Sequence, residues 1–239
     1  MQKIFLSLLF VLLIFTPKIF AEEGSTYSFG WLDKDKEVYV LQNREYRKVN
    51  TINLNVAFGM PISEPFVEGT MLQGRLGYYF WESWGLELLY SQNSEDINQT
   101  GKDLKSGYGG SVPPTTPWVN LVESYFAAIV NWSPFYSKIN LFNGIVYLDW
   151  TFGLGAVSVT SENNTPIMID SSTSEPNKST TSTGWLFQTS WIFYLSQSFS
   201  IRADLISINY SVDAPGGLGA TKKQSIGEWD AVLGLGFRF

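Results

Sequence analysis

The sequence contains no histidine and no cysteine. Without histidine there is no Ser-His-Asp triad, no imidazole acid–base chemistry and no His-ligated metal. Without cysteine there is no disulfide framework and no lipid-attachment cysteine. An enzyme would be left with a Ser–Lys pair or paired carboxylates. The expectation is a chain that is not an enzyme and carries no cofactor. Basic residues are also few. Lys and Arg number 16 against 22 Asp and Glu, for a net charge of -6, which argues against nucleic acid as a partner. Long apolar runs are missing too. The run at 4–15 falls short of the roughly 20 residues that a membrane helix needs. A helical membrane protein is therefore excluded.

The apolar run has another reading. Met1-Gln-Lys3 precedes it and Ile19-Phe20-Ala21 follows, before Glu22 and Glu23. A basic start, a short apolar core and a small residue at the cleavage point describe a secretory signal peptide over residues 1–21. Its removal takes Lys3 and Lys18 and no acid, so the net charge goes from -6 to -8. A secreted chain of this size without disulfides fits a bacterial envelope. Residues 22–50 form a polar N-terminal arm on the periplasmic side. Its basic cluster of Arg44, Arg47 and Lys48 is read as packed near a barrel mouth. The alternative is a docking segment for a periplasmic partner or for lipid headgroups.

Aromatic residues make up 16% of the chain, as many as the charged ones, so their placement carries information. From residue 51 onward the dominant pattern is strict period-2 alternation, the signature of strands with one apolar and one polar face. The last stretch shows it best. Trp229, Ala231, Leu233, Leu235, Phe237 and Phe239 share one face; Asp230, Val232, Gly234, Gly236 and Arg238 share the other. Similar segments occur at 51–60, 70–80, 84–90, 121–132, 145–159, 185–194 and 199–210. In the fourth, Val122 is placed with the outward set and Glu123 and Tyr125 with the inward set. In the seventh, alternation blurs at 206–208, where a bulge is expected. The intervening stretches 91–120, 160–184 and 211–227 are Gly-, Ser-, Thr- or Pro-rich and read as loops. Glu95, Asp96 and Asp103 in the first of these lack calcium-ligand spacing and read as solvated.

Eight strands near the ~10 residues needed to cross a bilayer, with long loops alternating with short turns, describe one architecture. It is an all-β, eight-stranded, antiparallel, up-and-down transmembrane barrel over residues 51–239. The inward charges Arg75, Glu87, Glu123, Asp149, Arg202, Asp204 and Asp230 would then line the lumen as a structural ion-pair network. Gly153/Gly155 and Gly234/Gly236 would make room for larger lumen side chains. Phe80, Trp84, Trp132, Trp191, Phe193, Phe199 and Phe237 fall at the short-turn ends, as interface aromatics. Tyr90, Trp185, Tyr210 and Trp229 fall at the long-loop ends.

The closing Phe237-Arg-Phe239, with Leu233 and Leu235 before it, resembles the assembly signal of bacterial outer-membrane barrels. The whole chain after the signal peptide resembles the small eight-stranded outer-membrane barrels, the OmpA/OmpX-like class. The lead-in Val40-Leu-Gln-Asn-Arg44 resembles a branch of predatory and gliding bacteria. The resemblance implies outer-membrane lipids, lipopolysaccharide and the barrel-assembly machinery as partners, together with a periplasmic or surface protein partner. It implies a non-enzymatic structural or surface role through the outer loops. The other readings are a narrow pore, an outer-membrane subunit of a trans-envelope adhesion or motility assembly, and a soluble lipocalin-like binder.

Overall fold

The computed structural model describes residues 44–110, 115–141, 144–166, 178–216 and 221–239. The expected signal peptide, residues 1–21, and most of the expected arm, residues 22–50, lie outside the described residues. The compact unit that holds the strands is Tyr46–Phe239. Its elements are β1 (Thr51–Pro61), β2 (Val67–Tyr79), β3 (Trp84–Ile97), α1 (Gln99–Gly110), β4 (Asn120–Leu141), β5 (Gly144–Asn163), β6 (Lys178–Tyr194), β7 (Phe199–Pro215) and β8 (Thr221–Arg238). Each strand pairs antiparallel with the next, and β8 pairs with β1, so the sheet is a closed eight-stranded barrel. Closure leaves no exposed sheet edge around the ring.

The seam is pinned by register and by aromatics. Leu54 faces Phe237 and Val56 faces Leu235 across it. Beyond the ladder, Ile52 N–H donates to Phe239 O at 2.9 Å and Phe239 N–H donates back to Ile52 O at 3.1 Å. Phe199, Phe237 and Phe239 follow one another at ring separations of 5.2 and 5.9 Å.

Four sequence expectations change. First, β5 to β8 are 17 to 20 residues long and run past the interface aromatics. The Ser/Thr-rich stretch 178–183 is strand, paired with 158–163 of β5. Thr and Ser make good polar strands outside a membrane, and a search for apolar alternation does not register them. Thr160 and Thr181 hydroxyls even meet across the ladder at 3.2 Å. Second, β3 continues to Ile97 and is followed by α1. Asn98 caps that helix: its Oδ1 accepts from Gly101 N–H at 3.0 Å, the third helical residue. Third, the bulge lies in β4. The register slips between Val122 and Ser124, leaving Glu123 over. The slip turns both Val122 and Tyr125 inward. Fourth, β7 has no register break at 206–208. Ile206, Ile208, Tyr210 and Val212 simply continue inward. The alternation blurred because the lumen itself is apolar there. Tyr210 is accordingly an interior residue and not part of the outer aromatic girdle.

The seam generates a prediction. Phe239→Ala removes the last ring of the aromatic file and weakens docking of β8 on β1. The fraction of folded, heat-modifiable protein on unheated gels should fall. Unchanged folding and unchanged membrane levels would remove the closing strand from any role in assembly.

Candidate functional site: a charged core inside the barrel

Inward-facing positions are alternate residues of every strand, so chemistry in the lumen is assembled from many strands at once. The centre is Glu87 on β3. Arg202 of β7 grips it with two nitrogens, at 2.5 Å to Oε2 and 3.1 Å to Oε1. Arg75 of β2 reaches the same carboxylate at 3.2 Å. Arg202 Nε also donates to Asp204 Oδ1 at 2.7 Å. Arg75 lies 3.4 Å from the other Asp204 oxygen, an ion-pair contact longer than a good hydrogen bond. Gln188 donates to Glu87 at 3.1 Å and to Asn131 at 2.9 Å, and its carbonyl accepts from Arg75 at 3.1 Å. Two guanidiniums and two carboxylates thus form one hydrogen-bonded layer, with every member buried. Bidentate, charge-assisted contacts of this kind are the strong ones in a low-dielectric interior.

Gly153 is part of the design. A Cβ there would sit 2.5 Å from Asn131 Oδ1 and 2.7 Å from the Gln188 side chain. Only glycine leaves room for that amide pair.

Asp149 belongs elsewhere. Its Oδ2 is 2.7 Å from Lys48 Nζ and accepts from Tyr194 OH at 2.6 Å. Lys48 also donates to Ser133 Oγ at 2.6 Å and lies 4.7 Å over the Tyr79 ring. Its backbone enters the mouth and turns back into β1. Asn50 N–H meets Tyr79 O at 2.7 Å, Thr51 N–H meets Lys48 O at 3.1 Å, and Asn50 takes a φ of 57°. Asparagine tolerates that left-handed conformation better than most residues. Tyr46 stacks on Tyr194 at 4.8 Å, and Arg238 lies 5.1 Å over the same ring. Lys48, one of three basic residues clustered in the expected arm, is a further cation of the lumen beside Arg75 and Arg202.

Two further expected members stand apart from the arginines. Asp230 accepts from Tyr125 OH at 2.9 Å; Tyr125 accepts from Gln73 at 2.6 Å, and Gln73 in turn accepts from Arg75 at 2.7 Å. It is linked to the layer only through that relay. Glu123, the bulge residue, is not in the lumen. Its carboxylate accepts from Ser179 Oγ at 3.2 Å on an exposed surface. The bulge reversed the parity on which its inward placement relied.

Above the charged layer the lumen is filled by apolar side chains, Leu89, Ile129, Leu186 and Ile206 among them. The long-loop end is then capped by its own loops. Trp118 Nε1 donates to Thr165 Oγ1 at 3.0 Å, Val119 N–H to Asn164 Oδ1 at 3.0 Å, and Asn164 to Pro117 O at 2.8 Å. Glu64, in the loop after β1, is partly buried there, and desolvation raises its carboxyl above the ordinary range. Near the short-turn end a cavity of about 20 Å³ lies between Lys48, Glu87, Tyr194 and Arg202. That is room for roughly one water.

The exterior is the reverse of a soluble surface. Val56, Leu154, Leu233 and Leu235 are each 60% exposed or more, and Phe58, Leu72, Leu86 and Phe126 continue the apolar coat. Around the short-turn end Trp84, Trp132, Phe152, Trp150 and Trp191 form a file with ring separations of 5.1 to 6.3 Å. Phe80 and Phe193 are half-buried at the same end. Tyr90, Trp185 and Trp229 stand exposed towards the other end. From Trp229 to Phe237 along β8 is roughly 20 Å of barrel height at ~3.3 Å per residue and ~40° of tilt. An apolar band of about 25 Å is what a membrane barrel presents to lipid. The chain is an outer-membrane-type β-barrel.

No family model and no curated protein matches the chain. Among solved structures, it is similar to the N-terminal β-barrel domain of Pseudomonas aeruginosa OprF, at 14% identity and a TM-score of 0.46, over 80% of this chain and 98% of that one. It is similar to Neisserial surface protein A at 10% identity and a TM-score of 0.43, over 79% and 94%. It is similar to the outer membrane protein OprG of Pseudomonas aeruginosa at 13% identity and a TM-score of 0.40, over 82% and 99%. The likeness is one of fold.

The charged layer makes a stability prediction. Arg202→Ala strips Glu87 and Asp204 of their shortest partners and should lower unfolding stability by about 3–5 kcal/mol, the usual cost of an uncompensated buried charge. Lys48→Ala should cost less when Asp149→Asn is present than alone, because the pair is coupled. Urea unfolding in micelles or vesicles measures both. Wild-type midpoints in Arg202→Ala, or strict additivity at Lys48 and Asp149, would contradict the network.

Proposed function

We propose that this chain is a non-enzymatic protein of a bacterial outer membrane, with a lumen filled by its own side chains and a role carried by its long-loop surface. The observation behind the reading is threefold closure of the interior. Lys48 and Tyr46 occupy one mouth, the Glu87 layer crosses the middle, and the Trp118–Thr165 contacts cover the other mouth. A filled eight-stranded barrel has no passage in which to act, so its outer surfaces remain. Lipid and lipopolysaccharide are the surroundings that the apolar band calls for, and the barrel-assembly machinery is the route by which such a chain is inserted.

A second reading, as the outer-membrane subunit of a trans-envelope assembly, has its own support. β4 leaves β3 at Trp132 and runs on to Leu141, so the β4–β5 hairpin projects beyond the short-turn end. Tyr136 stacks on Tyr147 there at 5.9 Å and Tyr46 meets Tyr147 edge to face at 5.1 Å, giving a stiff projection suited to a periplasmic protein partner.

Both readings place the long loops outside. An epitope inserted at Ser172 or after Gly217 should be labelled on intact cells, and one at Asn143 only after permeabilisation. The opposite pattern would invert the orientation and remove the surface role. Loss of a co-purifying periplasmic protein on shortening the β4–β5 hairpin would select the second reading.

A further inference from the structure

The lumen's charge does not balance along its length. Among the described residues, the buried cations are Lys48, Arg75, Arg202 and Arg238, all in the half towards the short turns. The half towards the long loops holds Glu228 and Asp230, 2% and 0% exposed, at successive inward positions of β8. Glu95 of β3 lies within electrostatic reach of both. None of the three has an ion-pair partner among the described residues at that end. A buried carboxylate without a counter-charge is costly.

Hydrogen-bond acceptors are left over in the same place. Asp230 Oδ2 accepts from Tyr125, but Oδ1 is buried with no partner. Asn120, 6% exposed, donates from Nδ2 to Tyr210 OH at 2.8 Å, and its Oδ1 is likewise buried with no partner. Tyr210 spends its own proton on Glu228, at 3.4 Å. Asn120 Nδ2 and Glu228 Oε2 therefore meet at one hydroxyl, with Asn120 Oδ1 on the same amide. What remains is a group of buried oxygens with net negative charge, and Ser161 Oγ, opposite Val122 at the same end, is buried with no partner as well.

We propose that these oxygens bind a small, hard inorganic cation of the calcium type, held by Glu228, Asp230 and Asn120 Oδ1, with water completing its shell. Among the described residues no three carboxylates converge at metal-ligand spacing. Two carboxylates, an amide oxygen and water are a ligand set that calcium accepts, since it takes six to eight oxygens with variable geometry. A proton on Asp230 would remove one charge but would leave Asn120 Oδ1 unsatisfied. A cation answers both deficits. Glu95, whose oxygens already accept from Asn93 at 3.0 Å and Val122 N–H at 2.7 Å, adds charge from outside the shell.

The test uses the folded, purified barrel after treatment with a chelator, at constant ionic strength. Calcium, magnesium and sodium are added in separate arms. Terbium is a second probe, because Tyr125 and Tyr210 flank the carboxylates and would sensitise its emission. Calcium should raise the thermal unfolding midpoint and displace terbium. Glu228→Gln and Asp230→Asn should each weaken binding by roughly tenfold or more, as loss of one charged ligand does. Both variants should also unfold at a higher temperature than wild type in chelator, since each removes an uncompensated charge. Three results would overturn the proposal: a wild-type midpoint unaffected by any cation, equal shifts in wild type and both variants, or full stabilisation by acidification with no calcium dependence. Equal shifts would mean that the cation acts on the outer surface or on the surrounding amphiphile. The third would give the site to protons.

Discussion

Glu87 is the residue on which the interior depends. One carboxylate accepts from two guanidiniums carried by β2 and β7, and from an amide on β6, while itself standing on β3. Neighbouring strands are joined by their ladder, but β3 and β7 are far apart around the ring. Contacts such as Arg202 to Glu87 therefore brace the barrel across its diameter. In hydrocarbon the exterior contributes little to holding strands together in the unique closed form, since lipid tails are as apolar as the side chains they cover. Cross-lumen hydrogen bonds supply the specificity that an apolar core supplies in a soluble sheet.

That brace works only because its charges cancel. Arg75 and Arg202 answer Glu87 and Asp204; Lys48 answers Asp149 from outside the strands. The segment around Lys48 is thus part of the core, despite preceding β1. The left-handed turn at Asn50 lets the chain dip into the mouth and return to the sheet within four residues. Among the described residues the carboxylates near the long loops lack such an answer, which is why the two halves of one lumen invite different chemistry.

Much of this was legible in the sequence because a barrel wall enforces period two. The strand positions, the inward placement of Arg75, Glu87, Arg202 and Asp204, and the outward apolar face all follow from parity. Parity also explains the failures. A single extra residue at Glu123 reversed the facing of Val122 and misplaced Glu123 itself. Tyr210 looked like a girdle aromatic because tyrosine suits both an interface and an interior with a hydrogen-bond partner; Asn120 and Glu228 supply that partner. The strand extensions at 178–183 were hidden by polarity on both faces. Lys48 was hidden for another reason. Nothing local separates it from Arg44 and Arg47; the imbalance of two inward arginines against three nearby acids is the signal that could have found it.

The central claim is that the wild-type lumen is closed, and electrical recording in planar bilayers tests it most directly. The purified barrel should insert without producing resolvable current steps over a wide voltage range. Arg202→Ala, with water in place of the lost guanidinium, should show brief, small, irregular leaks. Stable, uniform single-channel steps from the wild type would contradict the account, because ions would then be crossing the layer that Glu87, Arg75 and Arg202 are said to seal.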